Sequence, residues 1–237
     1  MAGPECPRFR ELHTVVHTAA AATHICRLLS DAAAMGFLDP GEVFPTRNAV
    51  VASYGCGGAA DLVGCLCWAS QTYDRHQASS MELRGCDVVD GWFELGSEAV
   101  ALAVGDYSPW TRGVCHLFSA VDRVPTDADL AMFDDADVVL FSWVLSIPAQ
   151  EGILEQIWPR IAPHLRPGAV VVITDRWEPD RFNPTLAALV ESTPGLETAW
   201  GIGDFNEINC HYQFDPAVFV HRPRCNFGAS GVVARVR

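Results

Sequence analysis

The sequence contains no lysine, so all 16 of its basic residues are arginines. They are outnumbered by 29 acidic residues, which gives a net charge of −13. A strongly acidic protein is a poor non-specific binder of nucleic acid, because that affinity comes from neutralising phosphates. The composition therefore argues against a nucleic-acid partner, and it excludes any mechanism that needs a lysine side chain.

Long apolar runs are also missing. No stretch approaches the roughly 18 residues that a membrane-spanning helix needs. The first residues, MAGPECPRFRELH, do not place a basic region before an apolar core as a secretory signal does. We therefore expect no membrane partner and predict a cytoplasmic protein. Hydrophobic residues make up 49% of the 237 residues, which is enough for the core of one sizeable domain.

A CxxC pair, which often marks a zinc or redox site, does not occur among the nine cysteines. Most of them lie within apolar segments, which indicates reduced, buried thiols that act as small hydrophobic side chains. Zinc binding or disulfide formation is the alternative. His13 and His17 have the i, i+4 spacing of two metal ligands on a helix, but no third ligand can be identified. We expect no metal.

Apolar, β-branched segments alternate with helical ones along the chain. The predicted strands lie at 49–54, 83–90, 113–122, within 135–146 and at 168–177. The predicted helices lie at 8–36 (one long or two short), 59–73, partly 91–104, 150–165 and 183–193, and the polar segment 74–82 is predicted to be a loop. Such alternation implies right-handed crossovers and a parallel sheet covered on both faces.

Two late extended segments, 209–215 and 230–237, suggest an antiparallel hairpin at one sheet edge. The predicted fold is therefore α/β, with a doubly wound, mostly parallel seven-stranded sheet, a C-terminal antiparallel hairpin and an N-terminal helical cap. We assign residues 1–47 to the cap or lid and residues 48–237 to the main domain, together forming one compact unit.

The segment VVASYGCGGAADLVG, residues 50–64, joins the first strand to the next helix through a glycine cluster. Gly55, Gly57 and Gly58 let a ligand approach the main chain, and the helix that follows offers N–H groups without partners. A tight turn that holds no ligand is the alternative. The stretch also fits the dinucleotide pattern G-x-G-x-x-G/A through Gly55, Gly57 and Ala60.

Each of the later predicted strands ends in a polar residue, on the edge where open α/β sheets bind ligands. These residues are Asp87, Asp122, Ser142 and Asp175. A carboxylate after the second strand can accept hydrogen bonds from both hydroxyls of a ribose, and a polar group after the third can bind an adenine amine. Asp90 is an alternative to Asp87, and either carboxylate could instead be solvated or cap a helix.

Taken in order, these segments resemble the motifs of class I S-adenosylmethionine-dependent methyltransferases. VVASYGCGGAAD is similar to their glycine-rich first motif, LRGCDVVD to the acidic second-strand motif, DADVVLFSWVLS to the fourth-strand motif and IAPHLRPGAVVVITD to the segment leading into the fifth strand. The resemblance covers residues 48–177, and the family's late hairpin would match 196–237. Ser53 stands where the family usually has an acid, and Ala59 where it has its third glycine.

The resemblance implies S-adenosyl-L-methionine as the cofactor. The glycines and the backbone around Ser53 would hold its methionine moiety, Asp87 its ribose, and Val121 with Asp122 its adenine. Ser142 and Trp143 would line the wall near the donor methyl group. The full set of cofactor-binding residues that it implies is Ser53, Tyr54, Gly55, Cys56, Gly57, Asp87, Val88, Val121, Asp122, Ser142 and Trp143.

Methyl transfer from a sulfonium depends mainly on alignment and needs a general base only for some acceptors, so a catalytic signature is not required. The candidate catalytic residues are His211, Tyr212, Asp175 and Arg176. Arg176 would clamp a substrate carboxylate, or else be an ordinary surface arginine. We predict substrate contacts at His13 and His17, through the cap, and at Trp177; packing within the protein is the alternative for each.

The predicted function is in-line methyl transfer from S-adenosylmethionine to a small molecule. A protein acceptor remains an alternative. So does a methyltransferase-like protein that binds a ligand or partner without catalysis, because of Ser53 and Ala59. A nicotinamide-dependent oxidoreductase would share the glycine turn, but a Tyr–Lys catalytic pair is impossible in a chain without lysine. The sequence makes no prediction of oligomeric state.

Overall fold

The structure of the chain, a computed structural model, describes residues 6–107, 113–145, 154–176, 182–200 and 229–237. Within these ranges seven strands form one sheet, in the order β3-β2-β1-β4-β5-β7-β6. The strands are β1 (Asn48–Tyr54), β2 (Ser80–Asp87), β3 (Val114–Ala120), β4 (Val138–Ser142), β5 (Val170–Arg176), β6 (Leu196–Trp200) and β7 (Ala229–Val236).

The first five strands pair in parallel, whereas β7 is antiparallel to both β5 and β6. The predicted fold class, a mostly parallel doubly wound sheet with a C-terminal antiparallel hairpin, is confirmed. The strand order reverses its direction between β1 and β4, which are neighbours. In open α/β sheets a ligand binds in the crevice at the carboxyl ends of such a pair.

Helices cover both faces of this sheet. They are α1 (Pro7–Ala34), α2 (Pro40–Val43), α3 (Ala60–Gln71), α4 (Phe93–Tyr107), α5 (Asp127–Leu130), α6 (Leu154–Ile161) and α7 (Phe182–Ser192). Of the predicted helix 150–165, the structure describes the part from Leu154 onwards, which ends in a short 3-10 turn, Ala162–His164. Among the described residues, no helix is both long and apolar enough to cross a membrane.

Each face of the sheet has its own hydrophobic core, because successive strand residues point to opposite sides. In β4, Val138 and Leu140 pack on the side of α1 and α3, whereas Val139 and Phe141 pack on the side of α6 and α7. All four side chains are fully buried. This burial on both sides explains why β4 is an unbroken apolar run rather than an alternating one.

Helix α1 is a single helix, and its second half belongs to the core. Ile25, Leu28 and Leu29 are fully buried against the sheet and α3. The two helices come unusually close at Gly64 of α3, where an added Cβ would lie only 2.4 Å from the main-chain oxygen of Ala22. Glycine at this position therefore sets the spacing between α1 and α3.

Both predicted boundaries of the second strand are wrong. The strand begins at Ser80, inside the segment 74–82 that was predicted to be a loop, and it ends at Asp87 rather than at residue 90. It pairs with β1 residue by residue, from Ser80 opposite Asn48 to Cys86 opposite Tyr54. The polar residues at its start therefore belong to the sheet because they pair with β1. Local strand propensity alone does not predict such pairing.

The local residue pattern did not predict strand β6, which lies at the start of the region 196–237 where the family resemblance implied a late hairpin. It pairs with β7, which confirms the predicted extended segment at 230–237, and the register shifts between Thr198 and Trp200. The other predicted late strand, 209–215, lies outside the described residues. The hairpin edge of the sheet is thus built by β6 and β7.

Candidate functional site

The turn between β1 and α3 contains three residues with left-handed backbone conformation. The φ angles are +67° at Gly55, +48° at Gly57 and +59° at Ala59. Glycine adopts this conformation freely, whereas it costs an alanine about 1 kcal/mol. The N–H of Cys56 donates to the carbonyl of Cys86 in β2 (2.9 Å), and the N–H of Ala59 to that of Cys56 (2.8 Å). These bonds hold the turn so that the first amides of α3 lie at its end.

The surroundings of the three glycines differ. A Cβ on Gly55 would lie 2.3 Å from Cγ2 of Val144, and one on Gly58 would lie 3.0 Å from Oγ1 of Thr14. A Cβ on Gly57 would meet no described atom within 4 Å. Among the described residues, the turn is therefore covered on two sides and is open at Gly57, where a ligand has room to reach the main chain.

Asp87 is the last residue of β2, and its carboxylate contacts the turn. Its Oδ2 accepts a hydrogen bond from the N–H of Gly57 (3.0 Å), and its Oδ1 accepts one from Val89 (3.0 Å). Burial raises the pKa of Asp87, and backbone amide donors partly oppose this rise. Each carboxylate oxygen has a second lone pair. Asp87 can thus accept a further hydrogen bond, such as a ribose hydroxyl would donate.

The other predicted nucleoside contacts lie near the same edge. The N–H of Val121 donates to the carbonyl of Asp87 (3.1 Å), which places this buried valine directly beside the acid. Asp122 and Val88 are exposed. Asp90 is also exposed, and it begins a short 3-10 turn beyond the strand. Asp87 is therefore the better placed of the two rival carboxylates.

Ser142 ends β4, as predicted, and Trp143 follows it with unusual geometry. The Oγ of Ser142 accepts a hydrogen bond from Oγ1 of Thr174 (3.0 Å), and the N–H of Trp143 donates to the carbonyl of Thr174 (2.8 Å). The φ of Trp143 is +61°, a conformation that costs a bulky residue about 1–2 kcal/mol. Backbone strain of this kind is concentrated at functional sites. Here the strained residue, Trp143, is followed by Val144, which covers Gly55.

Tyr54 and Cys56 are predicted cofactor residues whose side chains are buried. The ring of Tyr54 packs against Phe141, with 6.2 Å between ring centroids, in the core on the α6 and α7 face. Burial raises the pKa of the Tyr54 phenol and of the Cys56 thiol. A contact from either residue to a ligand in the turn would therefore involve backbone atoms.

Asp61 is a polar residue of this region that the sequence analysis missed. It is the second residue of α3 and only 2% exposed. Its Oδ2 accepts a hydrogen bond from the hydroxyl of Ser53 (2.5 Å), and its Oδ1 accepts one from the N–H of Leu62 (2.8 Å). Burial raises the pKa of Asp61 to about 6. An aspartate in the first turn of a helix is usually a solvated carboxylate near the helix dipole. The only sequence signal for the burial of Asp61 was therefore its apolar neighbours.

The first half of α1 lies over this edge of the sheet. Thr14 covers Gly58, and a Cβ on Gly91 would lie 2.3 Å from the guanidinium carbon of Arg10. The Oγ1 atom of Thr14 is shielded from solvent and forms no hydrogen bond with the part of the chain that the structure describes. His17 is half-buried on the same helix. The side chain of His13 lies outside the described part, and the substrate contacts of both histidines stay predictions.

The acceptor-side candidates are only partly described. Asp175 is fully buried near the end of β5. Arg176 is the last residue of that strand, but its side chain lies outside the described part of the chain, as do the whole residues Trp177, His211 and Tyr212. Their roles stay predictions.

Comparison with known proteins gives no match to any family model and none to any curated protein. Solved structures do match. An S-adenosylmethionine-dependent methyltransferase from Clostridium acetobutylicum superposes with a TM-score of 0.51, at 7% sequence identity, over 97% of this chain and 98% of that chain. The chain has the class I methyltransferase fold.

Further similar structures are a SAM-dependent methyltransferase from Aquifex aeolicus and a precorrin-6y C5,15-methyltransferase from Geobacter metallireducens. The first has a TM-score of 0.49 and 12% identity, over 98% of this chain and 99% of that one. The second has a TM-score of 0.48 and 11% identity, over 84% of this chain and 85% of that one.

The residues at the carboxyl edge of this methyltransferase fold are chemically suited to S-adenosylmethionine. The turn is open at Gly57, where a ligand can contact the main chain. Asp87 beside it has remaining acceptor capacity for a hydroxyl donor. Asp61 adds a second buried carboxylate behind the turn. Hydroxyls, an amino group and a sulfonium all interact favourably with such acidic and accepting groups.

Proposed function

We propose that this protein transfers the methyl group of S-adenosyl-L-methionine to a small molecule. The observation that carries the proposal is the contact between Gly57 and Asp87. It joins an accessible main chain to a carboxylate that can accept from hydroxyls, with 3.0 Å between the amide nitrogen and the carboxylate oxygen. This contact lies beside the crevice at the ends of β1 and β4, where open α/β sheets bind nucleotides.

The residues at this edge act by binding and orienting. When bound, the cofactor supplies an activated methyl group on a positively charged sulfur. Asp87 accepts a hydrogen bond from a ribose hydroxyl and fixes the nucleoside, while the turn at Gly57 contacts the methionine moiety. Val144 and Trp143 form the wall next to the turn. Such alignment can supply most of the acceleration of a displacement reaction.

Two features support a small acceptor over a macromolecular one. The net charge of −13 opposes the approach of a polyanion such as RNA or DNA. The first half of α1 covers the edge at Thr14 and Arg10, which restricts the opening through which an acceptor would enter. Asp175, Arg176, His211 and Tyr212 remain our candidates for acceptor-side groups, and Trp177 for a substrate contact.

Calorimetric titration with S-adenosylhomocysteine tests the cofactor site. We expect micromolar binding to the unaltered protein and a loss of about tenfold or more in Asp87→Ala, because hydrogen bonds to a charged acceptor contribute about 1.5–3 kcal/mol each. Asp90→Ala is the matched control, since Asp90 is an exposed acid three residues further on, and it should bind normally. A calorimetric titration with NADH under the same conditions tests the oxidoreductase alternative.

Absence of S-adenosylhomocysteine binding would overturn the proposal, whether or not NADH binds. Equal losses in Asp87→Ala and Asp90→Ala would overturn the assignment of Asp87. If binding is as expected, a panel of small acceptors and protein extracts with methyl-labelled cofactor distinguishes a small-molecule enzyme from a protein-directed one. Tight binding without turnover on any acceptor would instead favour a ligand-binding protein without catalysis.

A further inference from the structure

Two half-buried cysteines, Cys26 of α1 and Cys67 of α3, lie where these helices contact each other. The Sγ of Cys26 is 3.6 Å from Oε1 of Gln71, the last residue of α3. One turn before Cys26, the main-chain oxygen of Ala22 lies against Gly64, which is one turn before Cys67. The two helices therefore run in the same direction at this contact, and Cys26 lies against the part of α3 between Gly64 and Gln71.

The thiol of Cys67 is on the face of α3 that contacts α1. Gly64, Cys67 and Gln71 share this face, because residues three and seven positions apart lie on the same side of a helix. Gly64 and Gln71 both contact α1, and Cys67 is the member between them. The two thiols also interact electrostatically: burial raises the pKa of Cys26 to about 11, and the charge of Cys67 adds to this rise. Cys26 and Cys67 are therefore neighbours across the helix contact.

A surface cavity of about 330 Å³ between α3 and α4 gives access to this pair. It is lined by Leu66, Cys67, Ser70, Gln71 and Ala103. Cys67 is half-buried and Gln71 is exposed, so a small molecule in the cavity can reach the Cys67 thiol from solvent. Cys65 is close to both thiols, but it is fully buried. Cys67 thus has the cavity on one side and a second thiol on the other.

We propose that Cys67 and Cys26 form a site of reversible thiol–disulfide exchange with a low-molecular-weight disulfide, such as glutathione disulfide. This inference does not depend on the proposed function. The Cys67 thiolate attacks one sulfur of the small disulfide, forms a mixed disulfide and releases one small thiol. The Cys26 thiolate then attacks the sulfur of Cys67, forms the Cys26–Cys67 disulfide and releases the second small thiol.

The exchange is balanced without a further reactant. The two protein thiols lose two electrons, and the small disulfide gains them. The two protons that leave the protein thiols are carried by the two small thiols that are released. The product joins α1 to α3 by a covalent bond, and an excess of small thiol reverses both steps.

Burial makes this exchange slow at neutral pH. It raises the pKa of Cys67 as well as that of Cys26, and only the thiolate form is nucleophilic. The thiolate fraction of a group with a raised pKa increases tenfold for each pH unit. We therefore expect the disulfide to form about thirtyfold faster at pH 8.5 than at pH 7.0.

Peptide mapping of the folded, unaltered protein after incubation with glutathione disulfide at pH 8.5 tests the proposal. Because the chain has no lysine, trypsin cuts it only after arginine, which places Cys26 in peptide 11–27 and Cys67 in peptide 48–75. We expect these two peptides to be linked, with a mass about 2 Da below their sum for the two hydrogens lost. The oxidised protein should also unfold at a urea concentration about 1–2 M higher, since the disulfide closes a long loop.

Three variants assign the roles of the thiols. Cys67→Ala should not form the link, whereas Cys65→Ala, the matched control two positions earlier, should form it. In Cys26→Ala the small thiol should stay bound to Cys67 as a mixed disulfide, because the second step is blocked. Failure of the unaltered protein to form the link would overturn the inference. So would a link that survives in Cys67→Ala, or one that forms only after urea has unfolded the protein.

Discussion

Replacing Gly64 with alanine tests the contact that sets the position of α1. The new Cβ would lie 2.4 Å from the main-chain oxygen of Ala22 and 2.9 Å from Cβ of Ile25. Carbon atoms in contact prefer a separation of about 3.5–4.0 Å, so the two helices would have to move apart by about 1 Å. The Ala22 oxygen belongs to a helix backbone and cannot rotate away as a side-chain end could.

The expected magnitude is the balance of two effects. Alanine in place of glycine inside a helix stabilises by about 1 kcal/mol. Overpacking costs about 1–3 kcal/mol, and a rigid backbone contact belongs at the upper end of that range. We therefore expect Gly64→Ala to lower the free energy of unfolding by about 1–2 kcal/mol. Gly105→Ala in α4, where an added Cβ meets no described atom within 4 Å, should instead gain about 1 kcal/mol.

Urea unfolding followed by fluorescence of the seven tryptophans measures both variants against the unaltered protein. The midpoint should shift in opposite directions for the two substitutions, with similar slopes. If Gly64→Ala proved as stable as Gly105→Ala, the reasoning about the α1–α3 contact would be refuted.

Two further predictions concern buried polar groups. Trp158→Phe removes the hydrogen bond from the indole N–H to Oγ1 of Thr193 (2.8 Å) and should cost about 1–2 kcal/mol in urea unfolding; an unchanged midpoint would contradict this. Burial lowers the pKa of His24 from 6.5 to about 4, so its contribution to stability is complete above pH 6.5 and declines as the pH falls towards 4. Relative to His24→Leu, the unaltered protein should lose about 2–3 kcal/mol between pH 7 and pH 4.5. Parallel pH profiles for the two proteins would show that His24 is not responsible.

The fold could be predicted because its central strands are buried on both sides. Unbroken apolar runs such as Val138 to Phe141 are strong strand signals, and their alternation with helices leaves few topologies. Strand β6 and the start of β2 were missed for a common reason. Their residues are held in the sheet by neighbouring strands, and pairing between distant segments leaves little local trace in the sequence.

Some residues of the candidate site could likewise be predicted from the sequence, and others could not. Asp87 could be identified because it is a polar residue at the end of an apolar strand, and the glycine turn because glycines before a helix are distinctive. The Ser53–Asp61 pair could not, since the two residues are eight positions apart and only the fold brings them to hydrogen-bonding distance. Strain at Trp143 was also invisible, because positive φ at a tryptophan follows from its surroundings.

The continuity of α1 has a consequence for how fast a ligand can exchange. The second half of the helix is locked into the core, and no glycine or proline after Pro7 offers a hinge within its 28 residues. At its N-terminus, in contrast, no side chain of the described residues forms a cap, and the first turn has no acidic residue. The first turns are therefore the part of the helix that unwinds most easily. Unwinding of these first turns would then control entry to the glycine turn. A substitution that gives residue 6, the N-cap position, a capping side chain would lengthen the residence time of a ligand.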